Sequence, residues 1–238
     1  MRNYKKNLEL LSKNHVYSKE MEHDACGVGV IVSTEGKKSR EIVEHGIEAL
    51  KAVWHRGAVD ADGKTGDGAG IHVEIPKDFF IEKIEVTGHD YDNAEICVGM
   101  IFLPRNDYSA QESCKTIVES ELTKNNFSIY GWRQVPVNPK ILGQKALQTM
   151  PEIIQVLFKS NDQNLLDKNL ERKIYETRKK IEKKAFQLSL NNFYICSISS
   201  KSIIYKGLYL AEAISDFYLD LKDKRFISRY AIFHQRCS

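Results

Sequence analysis

Short apolar runs, each bounded by glycine, proline or polar residues, recur along this chain and limit what it can fold into. CGVGVIVS (26–33), IHVEIP (71–76), ICVGMIFLP (96–104), FYICSIS (193–199), SIIYKGLYL (202–210) and YAIFHQRCS (230–238) are rich in β-branched and aromatic side chains. They are too short to span a membrane and predict strands, with FYICSIS and SIIYKGLYL as a hairpin. Helical periodicity fills the intervals. Ser39 is a candidate N-cap for a helix to about Trp54, in which Ile42, Val43, Ile47, Leu50, Val53 and Trp54 form one apolar face. KDFFIEKI and SAQESCKTIVESELTKNN predict further helices. In LLDKNLERKIYETRKKIEKKAF a stripe of Leu166, Leu170, Ile174, Ile181 and Ala185 backs a solvated basic face. ILGQKALQTMPEIIQVLFKS mixes turn and strand signals. Strands and helices alternate without a dinucleotide-binding signature, so a layered fold of sheets and helices is expected.

Charge and cysteine usage exclude several function classes. The 35 basic and 32 acidic residues are mixed along the chain and leave a net charge of +3, so neither nucleic acid nor a membrane is implied as a partner. The first 25 residues are polar and lack the apolar centre of a secretory signal, which predicts a cytoplasmic protein. Cys26, Cys97, Cys114, Cys196 and Cys237 are odd in number and scattered, with no CxxC pair, so reduced thiols and no metal site are expected.

HRGAVDADGKTGDGAG (55–70) contains Gly63-Lys64-Thr65, the ending of a phosphate-binding loop. The spacing is wrong. Such a loop needs a glycine at position 58, which is alanine, and a helix after Thr65, where Gly66, Gly68 and Gly70 follow instead. A turn that lets backbone approach backbone closely is the reading favoured here.

In EHDACGVGVIV, Cys26 stands between Ala25 and Gly27, small neighbours that leave its thiol accessible along its own chain. A lone cysteine is more often a small buried hydrophobe than a nucleophile. Taken together, however, DACGVG at a strand start, HRGAVDADGKTGDGAGI after the first helix, and FHQRCS near residue 235 resemble the class II glutamine amidotransferase domain of the glutamate synthase large subunit. The resemblance runs from about Glu22 to Ser238 and includes the segment Ile203 to Gly207.

That resemblance implies an α+β N-terminal nucleophile (Ntn) hydrolase fold, a four-layer αββα sandwich, with residues 1–25 a propeptide-like leader and 26–238 a partial domain. It implies cleavage after Ala25, so that the α-amino group of Cys26 serves as the base for its own thiol. The thiol then attacks the side-chain amide of glutamine, forming a thioester that water hydrolyses to glutamate. Arg236 matches the arginine that holds the α-carboxylate of glutamine. Arg56, Gly27 and His234 are expected as supporting residues, with His55 and His234 as structural hydrogen-bonding partners rather than catalytic bases. Cys237 departs from the pattern, which has an aromatic residue there. In this family the domain continues past the position of Ser238, with an Asn-Gly oxyanion hole and an aspartate for the substrate amino group. The chain is therefore expected to be a very weak glutaminase by itself, or a catalytically incomplete fragment or interaction module retaining the fold. The resemblance implies no cofactor within these residues, with FMN and an iron-sulfur cluster in other parts of the family enzyme. Glutamine, the remaining synthase domains and a small reductase subunit are the candidate partners.

Overall fold

The computed structural model describes residues 27–162, 164–165 and 167–235, together with residues 6, 7, 9, 10 and 13. Two four-stranded antiparallel sheets organise them. The first takes β1 (Gly27–Val32), β8 (Tyr230–Gln235), β2 (Ala69–Glu74) and β7 (Ser202–Gly207) in the order β1-β8-β2-β7. The second takes β4 (Phe127–Gln134), β5 (Glu152–Ser160), β3 (Cys97–Leu103) and β6 (Tyr194–Ser199) in the order β4-β5-β3-β6. With helices flanking them, they bear out the expected α+β class and are consistent with a sandwich.

Helix α1 (Arg40–Ala52) starts where its cap was read, with Ser39 in extended conformation and its hydroxyl accepting from the Ile42 amide. It buries Val43, Ile47 and Leu50, each contributing roughly 1.5–3 kcal/mol relative to exposure. The helix approaches β8 so closely that a Cβ on Gly46 would stand 2.4 Å from the Ala231 Cβ. Trp54 departs from the expected apolar face: the helix ends two residues earlier, and Trp54 opens a 3-10 turn with 59% of its surface exposed. Helix α2 (Lys77–Val86) buries Phe79, Phe80 and Ile84 in the core shared by both sheets. Helices α3 (Tyr108–Lys124) and α5 (Asp167–Gln187) cover the opposite face of the second sheet. Leu170, Ile174, Ile181 and Ala185 are buried as the periodicity required, while Leu166 lies outside the described residues.

The ambiguous stretch 141–160 resolves into the short helix α4 (Gln144–Thr149) followed by β5. Strand β4 had no counterpart in the sequence reading. Its pattern is broken at Gly131, whose φ of +155° accompanies a register shift between Ile129 and Gly131. The expected hairpin is also corrected. β6 pairs with β3 and β7 with β2, so the turn between them carries the chain from one sheet to the other. On the first sheet, Val28, Val30 and Val32 point away from the core and remain exposed, at 69%, 59% and 59%.

Candidate active site

The motifs singled out in the sequence converge on one end of the first sheet. Gly27 opens β1 opposite Gln235, the last residue of β8. Gln235 also opposes Ala69 at the start of β2, and Ala69 opposes Gly207 at the end of β7. Cys26 and Arg236 both lie outside the described residues. They are the sequence neighbours of Gly27 and Gln235.

The loop that follows α1 wraps the same end. The 3-10 turn Trp54–Arg56 brings Arg56 over Gly27, where an added Cβ would stand 3.2 Å from the Arg56 Cβ and Cγ. Arg56 is exposed and forms no ion pair among the described residues. Its neighbour Gly57 is required by contact: a Cβ there would fall 2.1 Å from Gln235 Nε2. That amide nitrogen donates to the Gly68 carbonyl at 3.2 Å and to Asp67 Oδ1 at 3.5 Å. Gln235 is 1% exposed, and its buried Oε1 has no donor among the described residues. His234 faces the other side of the sheet, where its ring packs over Gly70; a Cβ on Gly70 would lie 2.4 Å from His234 Nε2.

Gly63-Lys64-Thr65 is stitched into the fold rather than opened to a phosphate. Asp62 Oδ1 accepts from the Lys64 and Thr65 amides at 2.9 and 2.7 Å, and Oδ2 accepts from the Thr65 hydroxyl at 2.6 Å. The Thr65 hydroxyl and these amides hold the Asp62 carboxyl well below the usual carboxylate range. Thr65 Oγ1 accepts in turn from the Ala146 amide at the start of α4, while Lys145 pairs with Asp60 at 2.7 Å. After Thr65 the chain enters β2, not a helix. The spacing argument against a phosphate-binding loop therefore has a physical counterpart.

Gln235, Asp67 and Gly57 were not anticipated as site residues. The signal was present for Gln235: Ala231, Phe233 and Gln235 alternate toward the core, and an amide at a core-facing strand position needs partners. A cavity of about 670 Å³, lined by Phe102, Met150, Tyr194, Lys206 and Tyr209 among others, adjoins Gly207 at this sheet end. Neither Gly27, Arg56 nor His234 lines it, so the chemistry of the motifs points elsewhere. Cys97, Cys114 and Cys196 are buried and form no disulfide among the described residues. Burial pushes the Cys97 thiol up, and that of Cys114 to about 11, which keeps both protonated at neutral pH. No group of three or more His, Cys, Asp and Glu suited to a metal occurs among the described residues. No described helix is long and apolar enough to cross a membrane.

Residues 26–238 match the family model described as class-II glutamine amidotransferases, a match that starts at the cysteine itself. The chain belongs to that family. This class-II amidotransferase chain is 52% identical over 235 residues to the glutamate synthase [NADPH] large chain of Azospirillum brasilense, covering 99% of the chain and 15% of that protein. It is 40% identical over 219 residues to ferredoxin-dependent glutamate synthase 1 of Arabidopsis thaliana, and 37% identical over 219 residues to the ferredoxin-dependent enzyme of Spinacia oleracea. Each of these two alignments covers 91% of the chain and 13% of the relative. The amidotransferase chain thus spans 13–15% of the length of these relatives. The recognised family and the Ntn-type fold expectation agree.

Proposed function

We propose that this chain carries the glutaminase half-reaction of a glutamate synthase. The observation that supports it best is the register pairing Gly27 with Gln235, the sequence neighbours of Cys26 and Arg236, at the strand before which the family match begins.

On this reading the chain is cut after Ala25, and the free α-amino group of Cys26 takes the thiol proton. Its ordinary pKa of about 7.7–8.0 lets it act near neutral pH, where an amide nitrogen cannot. The sulfur attacks the side-chain carbonyl carbon of glutamine, forming a C–S bond. The C–N bond then breaks, and the amine returns its proton to the leaving nitrogen, which departs as ammonia. Water attacks the thioester and restores the thiol, giving glutamate, so one difficult amide cleavage becomes two easier steps. Arg236 offers a planar fork for two parallel charge-assisted bonds to the substrate α-carboxylate. Arg56, packed over Gly27, holds the head of β1 in place. Ammonia passes to 2-oxoglutarate at a site formed by other parts of the enzyme, where FMN and iron-sulfur chemistry belong.

The test is ammonia release from glutamine by the protein, beside a Cys26→Ala control, with mass spectrometry of its N-terminus. Cys26-dependent release from a chain beginning at Cys26 is expected. Release that survives Cys26→Ala overturns the assignment. Absence of release from a folded protein favours the other reading, a non-catalytic module retaining the fold.

A further inference from the structure

The half-reaction above leaves the cavity beside Gly207 unused. Its volume of about 670 Å³ lies within the roughly 300–1,000 Å³ of small-molecule sites. Two aromatic pairs give it an apolar interior. Tyr209 and Phe217, 1% and 2% exposed, stand with ring centroids 5.3 Å apart, and Phe102 and Tyr194 pair at 5.8 Å. Toward solvent, Tyr194 and Leu208 keep 44% and 47% of their surface exposed, apolar area that gains by leaving water.

The charged groups on the walls are unequal. Lys206 is held there, its Nζ donating to Tyr194 Oη at 2.7 Å and lying 4.6 Å from the ring centroid. Arg105 is exposed; its Nη1 donates to the Leu147 carbonyl at a long 3.5 Å, and it belongs to none of the ion pairs among the described residues. Among the described lining residues Asp107 is the only carboxylate, and it caps α3, accepting from the Ala110 amide at 2.9 Å. Two cations thus stand against one carboxylate already engaged, an imbalance that favours an anion.

We propose that this cavity binds a small monoanionic molecule with an apolar body, of the class of aromatic or branched-chain carboxylates. The body fills the aromatic interior. The carboxylate takes charge-assisted hydrogen bonds from Arg105, whose planar fork suits it, with Lys206 adding positive charge to the same wall. A polypeptide segment laid in the cavity would cover the same rings without needing an anion, and the test turns on that difference. The assignment is independent of the glutaminase reading, since Gly27, Arg56 and Gln235 do not line the cavity.

The probes are phenylbutyrate and its neutral counterpart phenylbutanol. Each is titrated into the protein by calorimetry and by displacement of anilinonaphthalenesulfonate, an apolar anion whose fluorescence reports burial. One saturable site per chain is expected, with the alcohol weaker by about tenfold or more, the effect of losing a charge-assisted hydrogen bond. Arg105→Gln should weaken the carboxylate by a similar factor and leave the alcohol unmoved. Gln148→Trp, at an exposed position of the wall, should fill the cavity and block both probes. Val30→Lys, on the exposed valine face of β1, should change neither, and melting curves show that each variant is folded. Equal affinity for carboxylate and alcohol overturns the proposal and leaves the cavity as an apolar seat for polypeptide. Binding that survives Gln148→Trp, binding lost in Val30→Lys, or no saturable binding by the folded protein overturns it as well.

Discussion

Asp220→Ala should be among the most damaging single substitutions away from the candidate site. The Asp220 side chain is 2% exposed and its partner Arg133 12%. Arg133 Nη2 donates to Oδ1 at 2.6 Å and Nη1 to Oδ2 at 2.8 Å, a bidentate pair. Tyr205 OH donates to the same Oδ2 at 3.0 Å, and Arg133 Nη1 also reaches Gln155 Oε1 at 2.7 Å. The network thus joins β4 and β5 of one sheet to β7 of the other through a buried carboxylate. Alanine would leave the guanidinium buried without its counter-charge and the Tyr205 hydroxyl without its acceptor. Breaking such a pair from one side costs about 3–5 kcal/mol. At roughly 2–4 °C per kcal/mol for a chain of this size, the melting temperature should fall by about 6–20 °C. Thermal melts by circular dichroism and urea titrations measure this directly. Replacing both partners, Arg133→Met with Asp220→Leu, should recover part of the loss, because the charge is removed rather than orphaned. A fall of less than about 2 °C for Asp220→Ala, or strict additivity in the double replacement, would refute the view that charge pairing holds the two sheets here.

Gly57→Ala should lower glutamine hydrolysis at least tenfold, because its Cβ meets Gln235 Nε2 at 2.1 Å and must displace either the loop or the amide; unchanged steady-state kinetics would remove the loop from the site. Arg236→Lys keeps the charge and loses the fork, so KM for glutamine should rise while kcat changes less; initial-rate kinetics decide it. Glu82, Asp92 and Asp223 are each held near 2, by Arg225 with Lys83, by Lys159 with Tyr130, and by Arg225 respectively. Their native values lie below the ordinary ones, so they add stability above about pH 4 that is withdrawn as pH falls toward 2. The urea midpoint should therefore drop between pH 5 and pH 3, and Asp223→Asn should flatten that drop; these pairs are partly exposed, so each effect is small.

Elements whose local chemistry agreed with their tertiary role were legible. Ser39 capped α1, Leu170, Ile174 and Ile181 lined α5, and the apolar run at 230–233 formed β8. β4 was hidden because Gly131 interrupts its alternation, and Trp54 was misread because periodicity does not reveal where a helix turns into a 3-10 loop. FYICSIS and SIIYKGLYL carry every local sign of a hairpin, yet their partners lie elsewhere in the chain. At the candidate site, the motif residues were visible but their mutual placement was not. That Gln235 holds both Gly68 and Asp67 depends on the pairing of β2 with β8, which sets Ala69 opposite Gln235 across more than 160 residues.

That long-range pairing sets the order of events during synthesis. Among the described strands, β1 pairs only with β8, and β2 only with β7 and β8, whereas β3, β4, β5 and β6 pair among themselves. At roughly 5–20 residues per second, β1 leaves the ribosome about 10–40 seconds before its partner is made. The second sheet can close during that interval, while β1, with its three valines, waits unpaired. The β6–β7 turn then hands the chain from the finished sheet to the unfinished one, and β8 slides between β1 and β2 to complete it. The head of β1 and the residues around Gln235 therefore meet only in the closing step. This end of the sheet therefore stays unassembled until every other described strand has been made.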